Sequence, residues 1–236
     1  MAEDLRKDIE EFLTSIGLLC RVFARGKTAY SLEKKINSSP GKYSLGGKMI
    51  QDAVGIRVVL YFPEDVLIVE ELLRERYQCD DGATTVDAPR PDVFAVSRHN
   101  LIFHIPDRLE RDMGVASSGK PIDEKFEVQI RTILSEGWHE VEHDLRYKRP
   151  DDWIEHHDLS RNLNGVVAAL ETAEWSMRKI FDDLAYRHFK RRSWEAMLHA
   201  SLRMRVTPVL SPSICKIIDE NKDVAKGLLR INRPIL

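Results

Sequence analysis

The stretch KFEVQIR at residues 125–131 alternates polar and apolar side chains. Successive side chains of a β-strand point to opposite faces of the sheet, so this alternation predicts a strand with one apolar face. The polar face carries Glu127, Gln129 and Arg131. Two interpretations of that face are open: the solvent-exposed side of an antiparallel sheet, or the floor of an active site with a carboxylate for a metal and donors for phosphate.

Two further strands are predicted on the N-terminal side of this stretch. VGIRVVLYF at 54–62 and NLIFHI at 100–105 are rich in β-branched and aromatic residues, which are typical of strands. Together with the stretch at 125–131, they predict one β-sheet in the first part of the chain.

Helices are predicted where apolar residues recur at three- and four-residue steps. Before residue 150 the predicted helices cover 4–20, 31–36, 64–76 and 132–148. The segments around Gly26 and at 37–47 are predicted as loops. In the last of these helices, Trp138, Val141 and Leu145 are predicted to form a stripe that packs on the core.

The second half of the chain is predicted to be helical, with helices at 159–191, 193–202 and 212–226. The predicted fold class is therefore α/β (α+β), a mixed β-sheet flanked by helices with a C-terminal helical extension. We expect residues 1–150 to form the sheet domain and residues 151–236 to pack on it or to mediate oligomerisation. The long helix would suit a homo-oligomer, as a dimer or tetramer.

Composition excludes several classes of protein. The 36 Lys and Arg residues nearly balance 38 Asp and Glu residues, so the whole surface cannot act as a polycation toward nucleic acid. No apolar run approaches the roughly 20 residues that span a bilayer, so we expect no membrane insertion. Three widely spaced cysteines predict reduced thiols, and the acidic start lacks the layout of a signal peptide. Both features predict a cytoplasmic protein.

Two carboxylates are candidate metal ligands. Asp52 stands just before the strand at 54–62, and Glu127 lies on the strand at 125–131. Mg²⁺ prefers one or two carboxylates together with substrate phosphates, so the pair predicts an Mg²⁺ site. Arg57 lies inside the strand at 54–62, where a lone buried charge would be costly. It is predicted either to bind a ligand or to pair with a carboxylate in the core.

A cluster of cations precedes the first strand. Arg25 and Lys27 lie in the predicted loop, while Ser31 and Lys35 are four residues apart and share one helix face. Cations beside a helix N-terminus are suited to a polyphosphate, although a charge cluster of this kind is also typical of a solvated surface.

Four segments together resemble the synthetase domain of the RelA/SpoT family. They are RGKTAYSLEKK at 25–35, DAVGIRVVLYF at 52–62, FEVQIRT at 126–132 and WHEVEHDLRYK at 138–148. The resemblance implies a nucleotidyltransferase-like fold over about residues 10–150. It also implies an enzyme that moves pyrophosphate from ATP to the 3′-hydroxyl of an acceptor nucleotide, usually GDP or GTP, and releases AMP.

The resemblance also implies residue roles. Asp52 and Glu127 would bind Mg²⁺, and Glu127 would help to deprotonate the attacking hydroxyl. Arg57 would contact the donor nucleotide. The phosphates of ATP would be held by Arg25, Lys27 and Lys35, with Ser31 assisting. The site and its acceptor side would be shaped by Gln129, Arg131, His143 and Lys148. For His143, a structural histidine is the alternative interpretation.

One loop departs from the family pattern. The family carries Gly-Tyr-x-Ser-x-His before the second strand, and its Tyr stacks on the acceptor base. This chain reads FAVSRH at 94–99, so Ser97 and His99 match, while Phe94 and Ala95 replace the Gly and the Tyr. Base stacking on an aromatic ring contributes about 1–3 kcal/mol. Either Phe94 or His99 stacks instead, or the acceptor differs.

The leading functional prediction is Mg²⁺-dependent transfer of pyrophosphate, or of a nucleotidyl group, from ATP or another NTP to an acceptor nucleotide. The family implies a signalling product in stress or phage defence. A first alternative, which the resemblance implies through small toxin-like relatives, is a toxin that pyrophosphorylates the 3′ end of tRNA. RHFKRRSW at 187–194 interleaves basic and aromatic residues of the kind that contact RNA. That segment also fits a solvated helix end with two rings in a core. A second alternative is a degenerate module that binds a nucleotide or a partner protein without catalysis.

Overall fold

A computed structural model describes residues 1–38, 40–87, 98–109, 119–205 and 209–231. In this part of the chain, five strands form one mixed sheet in the order β1-β2-β5-β4-β3. The strands are β1 (Cys20–Gly26), β2 (Val54–Leu60), β3 (Thr85–Val86), β4 (His99–His104) and β5 (Lys125–Thr132). Strands β2 and β5 are parallel, and the other neighbouring pairs are antiparallel. The predicted mixed sheet is therefore confirmed.

Helices flank the sheet and continue beyond it. They are α1 (Ala2–Ser15), α2 (Ala29–Asn37), α3 (Asp65–Arg76), α4 (Ile133–Glu142), α5 (His157–Lys190), α6 (Trp194–Leu202), α7 (Pro212–Glu220) and α8 (Lys222–Leu229). A π-helical turn, His143–Tyr147, continues α4. Within the described residues, none of the helices combines the length and the apolar character needed to cross a bilayer.

The central strand β5 follows the alternation that its sequence predicts. Phe126, Val128 and Ile130 are buried in the main core. The polar side chains of the same strand lie on the opposite face, where Arg131 is also buried. One face of the sheet is therefore apolar and packed, while the other is polar and lines the site described below.

Helix α1 closes the apolar side of the sheet. Leu5, Ile9 and Leu13 recur at four-residue steps, and all three are fully buried in the main core. On the neighbouring helix face, Asp8 accepts hydrogen bonds from Tyr77 and from Arg76 Nη2, the latter at 2.8 Å. These contacts hold α1 against the end of α3.

The first helix ends earlier than its sequence pattern predicts. The prediction extended it to residue 20, but α1 ends at Ser15. Gly17 has a φ of +84°, in the left-handed region that favours glycine, and the amide of Leu18 donates to the carbonyl of Leu13. The loop predicted around Gly26 is wrong, because β1 occupies this segment and pairs with β2.

The predicted helix at 132–148 changes type near its end. Thr132 caps α4 in a reciprocal pair with Ser135, and α4 passes into the π-helical turn after Glu142. Extra backbone per turn changes which side chains share a face. The predicted core stripe is wrong: Trp138 is half-buried and belongs to neither core, Val141 of α4 is 48% exposed, and Leu145 of the π-helical turn is 58% exposed.

The C-terminal helices form a second, smaller core. Its buried members are Trp194, Met197, Leu198, Ile218 and Ala225. The single helix predicted at 212–226 is wrong, because the chain breaks at Asn221, whose side chain caps α8. Arg203 links this extension to the sheet domain through an ion pair with Glu64, just before α3, and it also pairs with Asp182 of α5.

Candidate active site

The polar face of the sheet forms the floor of one large pocket. Side chains of β1, β2, β4 and β5 line it from below, while α4, the π-helical turn and α5 form its wall. Its volume is about 1090 Å³, which is ample for a nucleotide. We call this cavity the central pocket.

Asp52 lines the central pocket just before β2 and lies between two lysines. Lys35 Nζ lies 2.8 Å from each carboxylate oxygen of Asp52, and Lys27 forms an ion pair with the same carboxylate. Burial opposes ionisation of Asp52, but the hydrogen bonds from both lysines outweigh it and hold its pKa below the usual value. Asp52 is therefore an ionised group in a partly buried setting.

Glu127 lies on the floor of the pocket and is held by two amides. Asn100 Nδ2 donates to Glu127 Oε1 at 3.2 Å, and Gln129 Nε2 donates to Glu127 Oε2 at 3.0 Å. Burial raises the pKa of Glu127, and the negative charge of Asp52 raises it further. The two carboxylates are thus close enough to repel each other.

This carboxylate pair fits a hard divalent cation. Oxygen ligands suit Mg²⁺, and a cation between the two groups would relieve the repulsion that raises the pKa of Glu127. The ammonium groups of Lys27 and Lys35 compete with a metal for Asp52, but they also supply donors for the phosphates that accompany Mg²⁺ in nucleotide sites.

Arg57 crosses from the sheet to α4. It pairs with Glu136 and Glu140, and its Nη2 lies 3.4 Å from Gln129 Oε1. Of the two interpretations of Arg57, pairing with carboxylates is the arrangement found in this structure. Burial opposes the charge on Arg57, but the two glutamates outweigh it and raise its pKa above the usual value.

Arg131 is the most deeply buried cation of the pocket floor. Burial lowers its pKa, and Glu136 lies 3.5 Å away as its ion-pair partner. Atoms of Glu136, His139 and Glu140 lie within 4.8 Å of one another, a spacing at which such groups hold metals. Both glutamates already bind Arg57, so this cluster is better described as a site for the guanidinium.

Three rings of α4 and the π-helical turn stack beside the pocket. The ring centroids of His139 and His143 are 5.7 Å apart, and those of His143 and Tyr147 are 5.5 Å apart. Burial, with the positive charges of Arg131 and Arg57, lowers the pKa of His139 to about 4. His139, the first ring of this stack, is therefore neutral beside the two cations.

The central pocket brings together most of the residues that the sequence singles out. Its lining includes Arg25, Lys27, Asp52, Arg57, Glu127, Gln129, Arg131 and His143. Lys35 reaches it through Asp52. Ser31 supports the start of α2 through Thr28, which caps that helix. Lys148 instead pairs with Asp144 at the half-exposed end of the π-helical turn.

Only the end of the predicted acceptor loop lies within the described residues. Phe94 and Ser97 lie outside the described residues. His99 lies away from the pocket, since its Nδ1 is 3.3 Å from Glu70 of α3. The next residue, Asn100, faces the pocket because side chains alternate along β4.

Sequence reasoning missed several pocket residues. They are Asn100, Glu136, His139, Glu140 and, from the extension, Asn164 and Val167. The spacing of Glu136 and Glu140 by four residues was a usable signal, because such residues share a helix face and both could reach one arginine. Asn100 carried no such signal, since it stands beside a run of three apolar residues with no partner at helical spacing.

A comparison with protein-family models found a match. Residues 24–152 match the family model described as the region found in RelA / SpoT proteins. A comparison with curated protein sequences found no match.

Solved structures share the fold. The small alarmone synthetase 2 from Bacillus subtilis is 20% identical, with a TM-score of 0.57 over 75% of this chain and 90% of that chain. The small alarmone synthetase 1 from Bacillus subtilis bound to its product pppGpp is 24% identical, with a TM-score of 0.55 over 78% and 92%. A GTP pyrophosphokinase family protein from Streptococcus pneumoniae is 19% identical, with a TM-score of 0.52 over 77% and 88%.

Proposed function

Since this chain belongs to the RelA/SpoT family and is a pyrophosphotransferase, we propose that it transfers the β,γ-pyrophosphate of ATP to the 3′-hydroxyl of GDP or GTP. The 3′-oxygen forms a bond to the β-phosphorus of ATP, the bond to the α-phosphate oxygen breaks, and AMP leaves. The product is a guanosine nucleotide with an added 3′-diphosphate, a signalling nucleotide. We assign the reaction to the cytoplasm, where ATP is available.

One observation carries this proposal: Asp52 and Glu127 share a pocket with the cations that a polyphosphate needs. Lys27 and Lys35 hold Asp52, and Arg25 lines the pocket beside them. Pyrophosphoryl transfer depends on positioning and on neutralising phosphate charge rather than on a covalent nucleophile. The residues present supply both requirements.

Mg²⁺ is the cofactor that we propose for this site, with Asp52 and Glu127 as the residues that hold it. When bound, the ion would neutralise charge on the transferred phosphates. Lys27 and Lys35 would bind the phosphates of ATP, with Arg25 beside them. This assignment rests on the carboxylate pair and on its surrounding lysines.

Glu127 is also the proposed proton acceptor for the 3′-hydroxyl. Burial and the charge of Asp52 raise its pKa, and a carboxylate with a raised pKa is a better base near neutral pH. Gln129 and Arg131 lie on the same face of β5 and would position the acceptor. Arg57 would bind the donor nucleotide after leaving the glutamates of α4.

We further propose that the chain forms a homodimer through α5. Along this helix, apolar residues recur at spacings that alternate between four and three residues, as in the seam of a coiled coil. They are Leu159, Leu163, Val166, Leu170, Ala173, Met177, Ile180 and Leu184, and we call them the α5 stripe. Leu159, Val166, Ile180 and Leu184 are exposed, although they are large apolar side chains.

Charge at the two ends of α5 favours an antiparallel partner. Exposed acids precede the stripe, and exposed bases follow it. The acids are Asp151, Asp152, Glu155 and Asp158, and the bases are Arg187, Lys190, Arg191 and Arg192. An antiparallel second copy, centred near Ala173, would align each acidic end with a basic end.

The tRNA alternative is weakened by the packing of two rings. Trp194 is buried in the second core, and Phe189 packs against it. Both rings of the segment are therefore held by the second core, and the exposed ring nearest to its bases is Tyr186, which lies under Lys190. The predicted helix end with two core-facing rings is the arrangement found here, so tRNA enters the test only as a comparison acceptor.

The test is to incubate the full chain with ATP, Mg²⁺ and a panel of acceptors, and to identify the products by mass spectrometry. We expect AMP and a 3′-diphosphate product with GDP or GTP, loss of turnover with EDTA, and at least hundredfold slower turnover for Glu127→Gln. Glu124→Gln, an exposed change just before β5, is the matched control and should keep full activity.

Three outcomes would contradict the proposal. Product from tRNA alone would replace the nucleotide acceptor with RNA. ATP binding without any product would favour a degenerate binding module. Equal activity of Glu127→Gln and the wild-type chain would remove Glu127 from the chemistry.

A further inference from the structure

Each carboxylate oxygen of Glu127 receives one hydrogen bond from a neutral amide. Gln129 donates to Oε2 from the same strand, and Asn100 donates to Oε1 from the adjacent strand β4. The β4–β5 register pairs Asn100 with Gln129, so both amides lie on the pocket face. The carboxylate is thereby held from two directions.

We propose that Asn100 is a positioning residue, which orients Glu127 Oε1 for the attacking 3′-hydroxyl. This inference rests on the proposed function, because it assigns Asn100 a role through the proposed base. The amide is uncharged, so it fixes the carboxylate without neutralising it, as a lysine or arginine would.

The position of Asn100 separates its effect from ATP binding. Asn100 lies on β4, on the far side of β5 from β2. The lysines that would hold the ATP phosphates surround Asp52, at the start of β2. Loss of the Asn100 amide should therefore slow the chemical step without weakening ATP binding.

The geometry also predicts which neighbours cannot replace Asn100. His99 is turned toward Glu70 on the other face of the sheet. Gln129 already donates to Oε2, and its carbonyl oxygen lies near Arg57. Among the described residues, no other side chain donates a hydrogen bond to Oε1.

The experiment compares kcat and KM for Asn100→Leu, Asn100→Asp and the wild-type chain, with thermal unfolding of each. Leu removes the amide at similar size, and Asp keeps the shape while removing the donor. Asn162→Leu, on the exposed surface of α5, is the matched control. We expect both Asn100 variants to lose about ten- to hundredfold in kcat, since a hydrogen bond to a charged group is lost. KM for ATP should change by less than about twofold.

The possible results separate this inference from the proposed function. Unchanged kcat in Asn100→Leu or Asn100→Asp, with an active wild-type chain, overturns the inference alone. A parallel fall in kcat, ATP affinity and unfolding temperature also overturns it, because such a pattern shows a structural role. A wild-type chain that makes no product overturns the proposed function, and the inference falls with it.

Discussion

Lys35 Nζ lies 2.8 Å from both carboxylate oxygens of Asp52, which joins α2 to the start of β2. Burial opposes the charge of this lysine, but its hydrogen bonds and charge interaction with Asp52 raise its pKa above the usual value. Lys35 is therefore charged at neutral pH. It holds Asp52 in the structure, and in the proposed function it would also bind a phosphate of ATP.

Replacing Lys35 should weaken ATP binding. We expect Lys35→Met to raise KM for ATP about tenfold or more, because a charged hydrogen-bond donor to phosphate is lost. Lys34→Met is the matched control, since Lys34 is exposed on the same helix. Steady-state kinetics with varied ATP measure both variants. An equal rise in KM for the two would assign the effect to general surface charge.

The glutamates of α4 should differ in their contribution to stability. Glu136 is 15% exposed and pairs with Arg57 and Arg131, whereas Glu140 is 51% exposed. We expect Glu136→Gln to lower the free energy of unfolding by about 1–3 kcal/mol, because it leaves a buried arginine without its partner. Glu140→Gln should cost less than about 1 kcal/mol. Urea unfolding measures both, and a larger loss for Glu140→Gln would contradict this ranking.

His139 should make the folded state sensitive to mild acid. Burial and nearby arginines lower its pKa to about 4 in the folded protein, whereas an unfolded histidine titrates near 6.5. Between these values the unfolded chain binds a proton that the folded chain does not. Stability should therefore be unaffected by this group above about pH 6.5 and should fall as the pH drops toward about 4.

Thermal unfolding from pH 7.5 to pH 4 tests this dependence. The difference in unfolding temperature between the wild-type chain and His139→Gln should change across that range, in the direction that favours the variant at low pH. His188→Gln, in α5, is the control histidine. A pH-independent difference between the wild-type chain and His139→Gln would show that His139 does not titrate as expected.

The α5 stripe should control the oligomeric state. We expect the wild-type chain to show twice its 27.2 kDa mass in multi-angle light scattering, and Ile180→Glu to show the monomer mass. A charge in an apolar helix seam is costly to bury. Trp175→Glu is the matched control, because Trp175 is also exposed but lies outside the stripe. Dissociation by Trp175→Glu alone would place the interface on another face of α5.

The sequence predicted the arrangement of pocket residues best where these residues lie on one strand. Along β5, alternation places Glu127, Gln129 and Arg131 on one face, and this follows from strand stereochemistry alone. The helix α3 and the start of α4 at Thr132 also agree with their apolar spacing and capping residues.

Prediction failed where neighbouring elements decide the outcome. Strand β1 carries Arg21 and Arg25 on its exposed face, and only pairing with β2 makes it a strand. The π-helical turn exposes Leu145, although its spacing from Trp138 suggested a shared core face. Asn100 lies opposite Gln129 through the register of two strands, which no local pattern encodes.

The helical extension supplies part of the wall of the central pocket. Asn164 and Val167 of α5 line it, and Arg146 of the π-helical turn donates to Asn164 at 2.8 Å. Trp138 of α4 also donates to the carbonyl of Leu163. We expect a chimaera that exchanges the chain after residue 150 between two relatives to transfer part of the pocket wall together with the proposed dimer surface. Selection on the pocket wall and selection on the proposed dimer surface would then be coupled, because both lie on α5.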